Sequence, residues 1–97
     1  MKYVMLYAER PDKHYYCIFP DVIVHADMAK ALAATIPFPT IPVSGGEIDF
    51  DGIGNPLCGG FSDSLKLRSR PQDSAIIGTY SYTHGLMADP TPAPLEG

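Results

Sequence analysis

Four side chains could take part in catalysis or hold a ligand: His25, Asp27, Cys58 and His84. Imidazole, thiolate and carboxylate groups are the usual general bases, nucleophiles and metal ligands of enzymes. Only His25 and Asp27 lie close together in the sequence, and a histidine at a strand-to-helix junction is more often a partly buried structural residue. A small metal- or ligand-dependent enzyme therefore requires all four groups to converge in one pocket.

Motifs for bound ions and nucleotides are incomplete. The stretch from Asp49 has acids at the first and third positions of a calcium loop and Gly54 at the sixth, but Gly60 stands where the loop needs a glutamate. The glycine-rich residues 52–60 lack the Lys-Ser or Lys-Thr pair of a phosphate-binding loop. We expect a connecting loop here, and no metal or cofactor.

Charged residues alternate along two predicted strands: Glu47, Asp49 and Asp51 on one, and Lys66, Arg68 and Arg70 on the other. The basic set could bind an anion. If the strands were neighbours, however, Arg70 would face Glu47 and the other two bases would face the other two acids. Such cross-strand pairs fix register and contribute less than about 1 kcal/mol each. The pattern therefore favours a solvent-exposed ladder of ion pairs between the two strands over an anion-binding site.

Tyrosines and a charge-poor composition indicate a protein interface. The chain has six tyrosines and no tryptophan, and only 19% of its residues are charged. Tyr3, Tyr7 and Tyr15 are predicted to cluster across the first hairpin, and tyrosine is enriched in interfaces. We therefore expect a homo-oligomer or a complex with another protein.

The length and the charge of the chain restrict the class of protein that it can be. Ninety-seven residues are enough for one domain, and a net charge of −4 argues against nucleic-acid binding. Two cysteines are too few for a secreted disulfide scaffold. The first apolar run meets charge at Glu9, too early for a signal peptide, and no run is long enough to span a membrane. The expected location is the cytoplasm.

The first half of the chain predicts a hairpin followed by a helix. Lys2–Ala8 and His14–Phe19 are rich in aromatic and β-branched residues, and the first is apolar on both faces. Residues 26–35 are good helix formers, with Asp27 placed to cap the first turn and Pro37 to end the helix.

The second half predicts two more strands and a second helix. After a stiff connector over residues 37–42, strands are expected at 47–51, with Ile48 and Phe50 inward, and at 64–69. Residues 76–83 have strand propensity, but Ser69 and Gln72 match a capping box and favour a helix from about Arg70.

The order ββαββα predicts a small α+β domain over residues 1–87. Its antiparallel sheet of about four strands would carry one or two helices on one face. Residues 88–97 contain three prolines and are expected to form a flexible tail.

Several short stretches resemble small uncharacterised bacterial and prophage proteins: Phe19-Pro20-Asp21, Val24-His25-Ala26-Asp27, Ser62-Asp63-Ser64-Leu65-Lys66-Leu67 and Ser69-Arg70-Pro71-Gln72-Asp73. That resemblance implies a bacterial or phage cytoplasmic setting and no activity. Met1-Lys2-Tyr3, with Phe19-Pro20-Asp21 and the following helix, is similar to HicB-type antitoxins, which implies an antitoxin-like regulator. The chain shows no DNA-binding C-terminal segment of that family.

These observations predict a non-enzymatic accessory domain that interacts with proteins and associates with itself. The alternatives are the small enzyme that uses the four residues named first, and the antitoxin-like regulator, which requires a contiguous basic face.

Overall fold

The computed structural model describes residues 1–84 and 87–88, with side chains described up to residue 79. In this part of the chain the elements follow in the order β1 (Lys2–Ala8), β2 (Lys13–Phe19), α1 (His25–Ala33), β3 (Ile41–Phe50), β4 (Pro56–Gly59), β5 (Phe61–Ser62), β6 (Leu67–Arg68), α2 (Asp73–His84) and β7 (Met87–Ala88). The small α+β class is confirmed.

β1 lies at the centre of the main sheet. The strand order is β4-β3-β1-β2-β7 with antiparallel neighbours, and β5 and β6 form a separate two-stranded sheet. The predicted hairpin is confirmed, with Lys2 opposite Phe19 and Ala8 opposite Lys13. β1 takes the central position because its successive side chains are apolar toward both faces, and both faces need cover.

The two helices pack on opposite faces of the sheet, whereas the sequence predicted one face. Tyr3 and Met5 of β1 pack in a cluster with Ile77 of α2. The alternate residues of β1, Val4 and Leu6, pack in a second cluster with Leu32 of α1. A strand buried on both sides cannot be covered by helices on one side only.

The start of α1 is capped from a distant loop. Val24 is the N-cap residue and makes no side-chain capping bond, so the prediction that Asp27 caps the helix is wrong. Instead, Ser64 Oγ accepts a hydrogen bond from the Ala26 amide at 2.9 Å. The Ser64 hydroxyl, 38 positions further along the chain, thus accepts from a backbone amide that has no capping side chain nearby in the sequence.

β3 and β4 differ from the predicted elements. β3 begins at Ile41, inside the expected proline-rich connector, and β4 lies inside the expected glycine-rich loop. Ile48 is buried as predicted, but Phe50 is exposed. Phe50 pairs with Pro56 at the end of the β3–β4 hairpin.

The predicted strand 64–69 is wrong over most of its length. Residues 63–66 form the turn of the β5–β6 hairpin, and only Leu67 and Arg68 pair, with Ser62 and Phe61. Lys66 has a φ of 59°, a left-handed conformation that ends a turn and is incompatible with a strand.

The helix predicted to begin near Arg70 is confirmed, with its cap shifted by one residue. Asp73 Oδ2 accepts a hydrogen bond from the Arg70 amide at 3.0 Å, so Arg70 and Asp73 take the capping-box positions that were assigned to Ser69 and Gln72. Ala88, assigned to the tail, pairs with Tyr16. Gly85 and residues 89–97, where the rest of the tail was predicted, lie outside the described residues.

Candidate functional site

The structure does not bring the predicted catalytic residues together. His25 is buried on the α1 side of the sheet, where its Nε2 lies 2.9 Å from the Gly46 carbonyl oxygen. Asp27 is exposed on α1, whereas Cys58 packs against the cluster on the α2 side. The fourth, His84, ends α2, and its side chain lies outside the described residues. The sheet therefore separates the Cys58 side chain from His25 and Asp27.

The predicted charge ladder is wrong because β3 pairs with β4. Glu47 lies opposite Gly59, and Asp49 lies opposite Leu57. Lys66 and Arg68 are exposed, and neither makes an ion pair with a described residue. Arg70 instead pairs with Asp73, with Nη2 and Oδ1 3.0 Å apart.

The predicted tyrosine cluster does not form, because strand alternation divides it. Tyr3 and Tyr7 point to the α2 side of β1, while Tyr15 lies opposite Leu6 and points to the α1 side. Tyr7 packs against His14 across the hairpin, with ring centroids 5.0 Å apart.

A buried polar network centred on Asp73 joins β1 to the start of α2. Tyr3 Oη donates to Asp73 Oδ2 at 2.5 Å, and Arg70 Nε donates to Oδ1 at 3.0 Å. Tyr3 Oη also lies 2.8 Å from Ser69 Oγ. The phenol has one hydrogen to donate, and it donates that hydrogen to the Asp73 carboxylate. In the contact between Tyr3 and Ser69, the serine hydroxyl is therefore the donor. Arg70 Nη2 is close to Oδ1 but lacks hydrogen-bond alignment, so that contact is purely electrostatic.

The groups of this network are buried and stabilise the fold. Burial raises the pKa of Tyr3 well above the usual range, and the hydrogen bond to Asp73 adds to that effect. Burial likewise raises the pKa of the Cys58 thiol, so little thiolate forms at neutral pH. The network can fix the start of α2, but it offers no reactive group to solvent. The sequence contains a signal for this network, an aspartate three residues after Arg70, but the capping role was predicted for Gln72.

An open groove crosses the α1 side of β3 and β4, next to the start of α1. Two adjoining cavities of about 450 and about 320 Å³ share Glu47 and form what we call the β3 groove. Its rim carries exposed apolar side chains, with Leu57 53%, Met1 54% and Phe61 48% exposed. The other lining residues are Lys2, Val24, His25, Ile48, Asp49, Cys58, Gly59, Gly60, Asp63 and Ser64.

The β3 groove is acidic. Its three carboxylates, on Glu47, Asp49 and Asp63, are exposed and make no ion pair within the described residues. The two cations nearby are engaged elsewhere: Lys2 Nζ donates to the Ile23 carbonyl oxygen at 2.9 Å, and the N-terminal ammonium pairs with Asp21 at 3.3 Å. Lys2 lines the groove as well, but the three carboxylates outnumber it, so the groove has a net negative charge beside apolar surface.

The outer edge of β4 is closed to strand pairing. Pro56 has no amide hydrogen, and the Cys58 amide, which points away from β3, donates to Ser74 Oγ of α2 at 3.0 Å. A further strand would find no free donor at these two positions. A partner on this side therefore finds no backbone donor at Pro56 and Cys58, whereas the side chains on the face of the sheet are open to it.

Comparison of the chain with protein families, curated proteins and solved structures finds no match. Within residues 1–84 and 87–88, neither helix combines the length and apolar character that crossing a membrane requires. In the same described part, no three histidine, cysteine or acidic side chains are grouped so that they could hold a metal ion.

Proposed function

We propose that this chain is a non-enzymatic interaction domain that associates with itself through side chains of the β3 groove. The observation that carries the proposal is the groove itself, where Met1, Leu57 and Phe61 are about half exposed around unpaired carboxylates. Apolar patches rimmed by charge are typical of protein interfaces, in which the apolar area supplies affinity and the charges supply specificity.

The two alternatives have less support. A small enzyme needs its reactive groups in one pocket, but His25 and Cys58 line different cavities of the groove, and the Cys58 side chain packs against the cluster on the α2 side of the sheet. An antitoxin-like regulator needs a contiguous basic face, and Arg70 is drawn into the pair with Asp73. The bacterial or phage setting and the cytoplasmic location remain part of the proposal.

Native mass spectrometry and light scattering of the whole chain test the proposal. We expect a dimer or higher oligomer at micromolar concentration. Leu57→Lys should weaken it, because the substitution places a charge on the groove rim. Val22→Lys is the matched control, since Val22 is 90% exposed and does not line the groove. A wild-type chain that remains monomeric at millimolar concentration would contradict the proposal.

A further inference from the structure

The occupant of the β3 groove follows from the charges around it. Resting on the self-association proposed above, we propose that the groove of one copy receives Lys66 and Arg68 of a second copy, and that the second groove receives the same residues of the first. The contact is then a two-fold one, in which the same patch is used by both copies.

Charge complementarity is the first support. Within the described residues the groove has three carboxylates without an ion pair, on Glu47, Asp49 and Asp63, against one lining cation, Lys2. Lys66 and Arg68 are exposed and make no ion pair with an acid in the same part of the chain. Two identical copies, each with a net charge of −4, repel one another at long range. Their contact surface must therefore bring opposite charges together locally.

Position is the second support. Arg68 lies directly opposite Phe61 in the β5–β6 hairpin, and opposed residues of an antiparallel pair project to the same side. Because the Phe61 ring lines the groove, Arg68 projects next to it. Lys66 ends the turn that begins at Asp63, so the basic side chains border one wall of the acidic groove.

A two-fold axis beside that wall would let the acidic and basic side chains of both copies pair. Side-by-side acidic and basic surfaces become self-complementary when one copy is rotated by half a turn, since each acid then meets a base. The exposed rings of Phe61 from the two copies would lie near the axis and exclude water from the charged contacts. The closed edge of β4 is consistent with this arrangement, because no backbone pairing is required.

Reciprocal charge reversal tests this surface. One double variant carries Glu47→Lys and Asp49→Lys, and the other carries Lys66→Glu and Arg68→Glu. We expect each alone to have a dimer dissociation constant at least about tenfold weaker than wild type, because like charges then face each other. Mixing the two should restore a heterodimer of near wild-type affinity, detected by native mass spectrometry.

The control variant carries Glu9→Lys and Lys30→Glu, two exposed residues that do not line the groove. It should dimerise like wild type. If the wild type dimerises and Leu57→Lys weakens the dimer, but the two charge-reversal variants dimerise like wild type or their mixture gives no heterodimer, the assigned pairing with Lys66 and Arg68 is wrong and the proposed function stands. If the wild type itself is monomeric at millimolar concentration, both proposals fail.

Discussion

Tyr3 donates its phenolic hydrogen to the carboxylate of Asp73, 2.5 Å away and 70 residues further along the chain. Both side chains are fully buried. The bond connects the central strand to the first turn of α2, and the same carboxylate caps that helix by accepting from the Arg70 amide. One carboxylate thus fixes where α2 begins and how it is placed on the sheet.

Replacing Tyr3 by phenylalanine should destabilise the fold by about 2 kcal/mol, because a buried carboxylate loses one of its donors. Urea unfolding followed by circular dichroism measures the change. Tyr7→Phe is the matched control, since the Tyr7 hydroxyl makes the same kind of bond to Asp12 at the surface. That variant should unfold like wild type. Equal effects from the two substitutions would show that burial of the Tyr3–Asp73 bond adds nothing.

Stability should fall at alkaline pH. Burial raises the pKa of Tyr16 to about 12 and that of Tyr3 further still, above the value of about 10 in an unfolded chain. The unfolded state therefore loses its phenolic protons first as pH rises. The free energy of unfolding should be unaffected by these groups below a pH of about 10 and decrease above it, by up to about 1.4 kcal/mol per pH unit for each.

Tyr16→Phe tests that origin. The variant should show a shallower decline between pH about 10 and about 12 in denaturant titrations. At neutral pH it should be at least as stable as wild type, because the buried Tyr16 hydroxyl has no hydrogen-bond partner among the described residues. An unchanged alkaline slope would exclude Tyr16 as a source of the pH dependence.

Gly46 should not tolerate a side chain. A Cβ there would lie 2.2 Å from the Gly59 carbonyl oxygen, and the backbone of β3 or β4 would have to move. We expect Gly46→Ala to cost about 2 kcal/mol or more. Gly52→Ala, where a Cβ meets nothing within 4 Å, is the control and should leave the thermal midpoint nearly unchanged. A wild-type midpoint for both variants would contradict this close approach.

The cap of α1 gives a fourth prediction. Ser64→Ala should cost about 1 kcal/mol, since the Ala26 amide loses its acceptor. Asp27→Asn should cost less, because Asp27 contributes only its charge near the helix start. Chemical denaturation of the two variants compares them directly. A larger effect at Asp27 would restore it as the capping residue.

Features set by local pattern could be predicted from the sequence. The run from Lys2 to Ala8 is apolar at successive positions, and the central strand buried on both faces follows from that. The helix after Arg70 follows from a proline at its first turn and an acid nearby. These signals act within a few residues, where geometry is fixed by the backbone.

Features that depend on distant pairing could not be predicted. The acidic and basic residues alternate in matching patterns, but Leu57, not Arg68, is the partner of Asp49. The short β4 lies in a stretch whose glycines indicate a loop, so the ladder was assigned to the wrong neighbour. The β3 groove likewise combines Met1, Glu47 and Phe61, and no sequence spacing indicates that they meet.

The hydrogen bond from the Cys58 amide to Ser74, together with Pro56, has a consequence for growth of assemblies. A sheet that recruits further strands at its edge has no natural stopping point and can extend into fibrils. On the β4 side this chain removes that route by chemistry that is present in each folded copy. Association there depends on contacts between side chains of folded copies, and a two-fold contact of that kind closes at two copies.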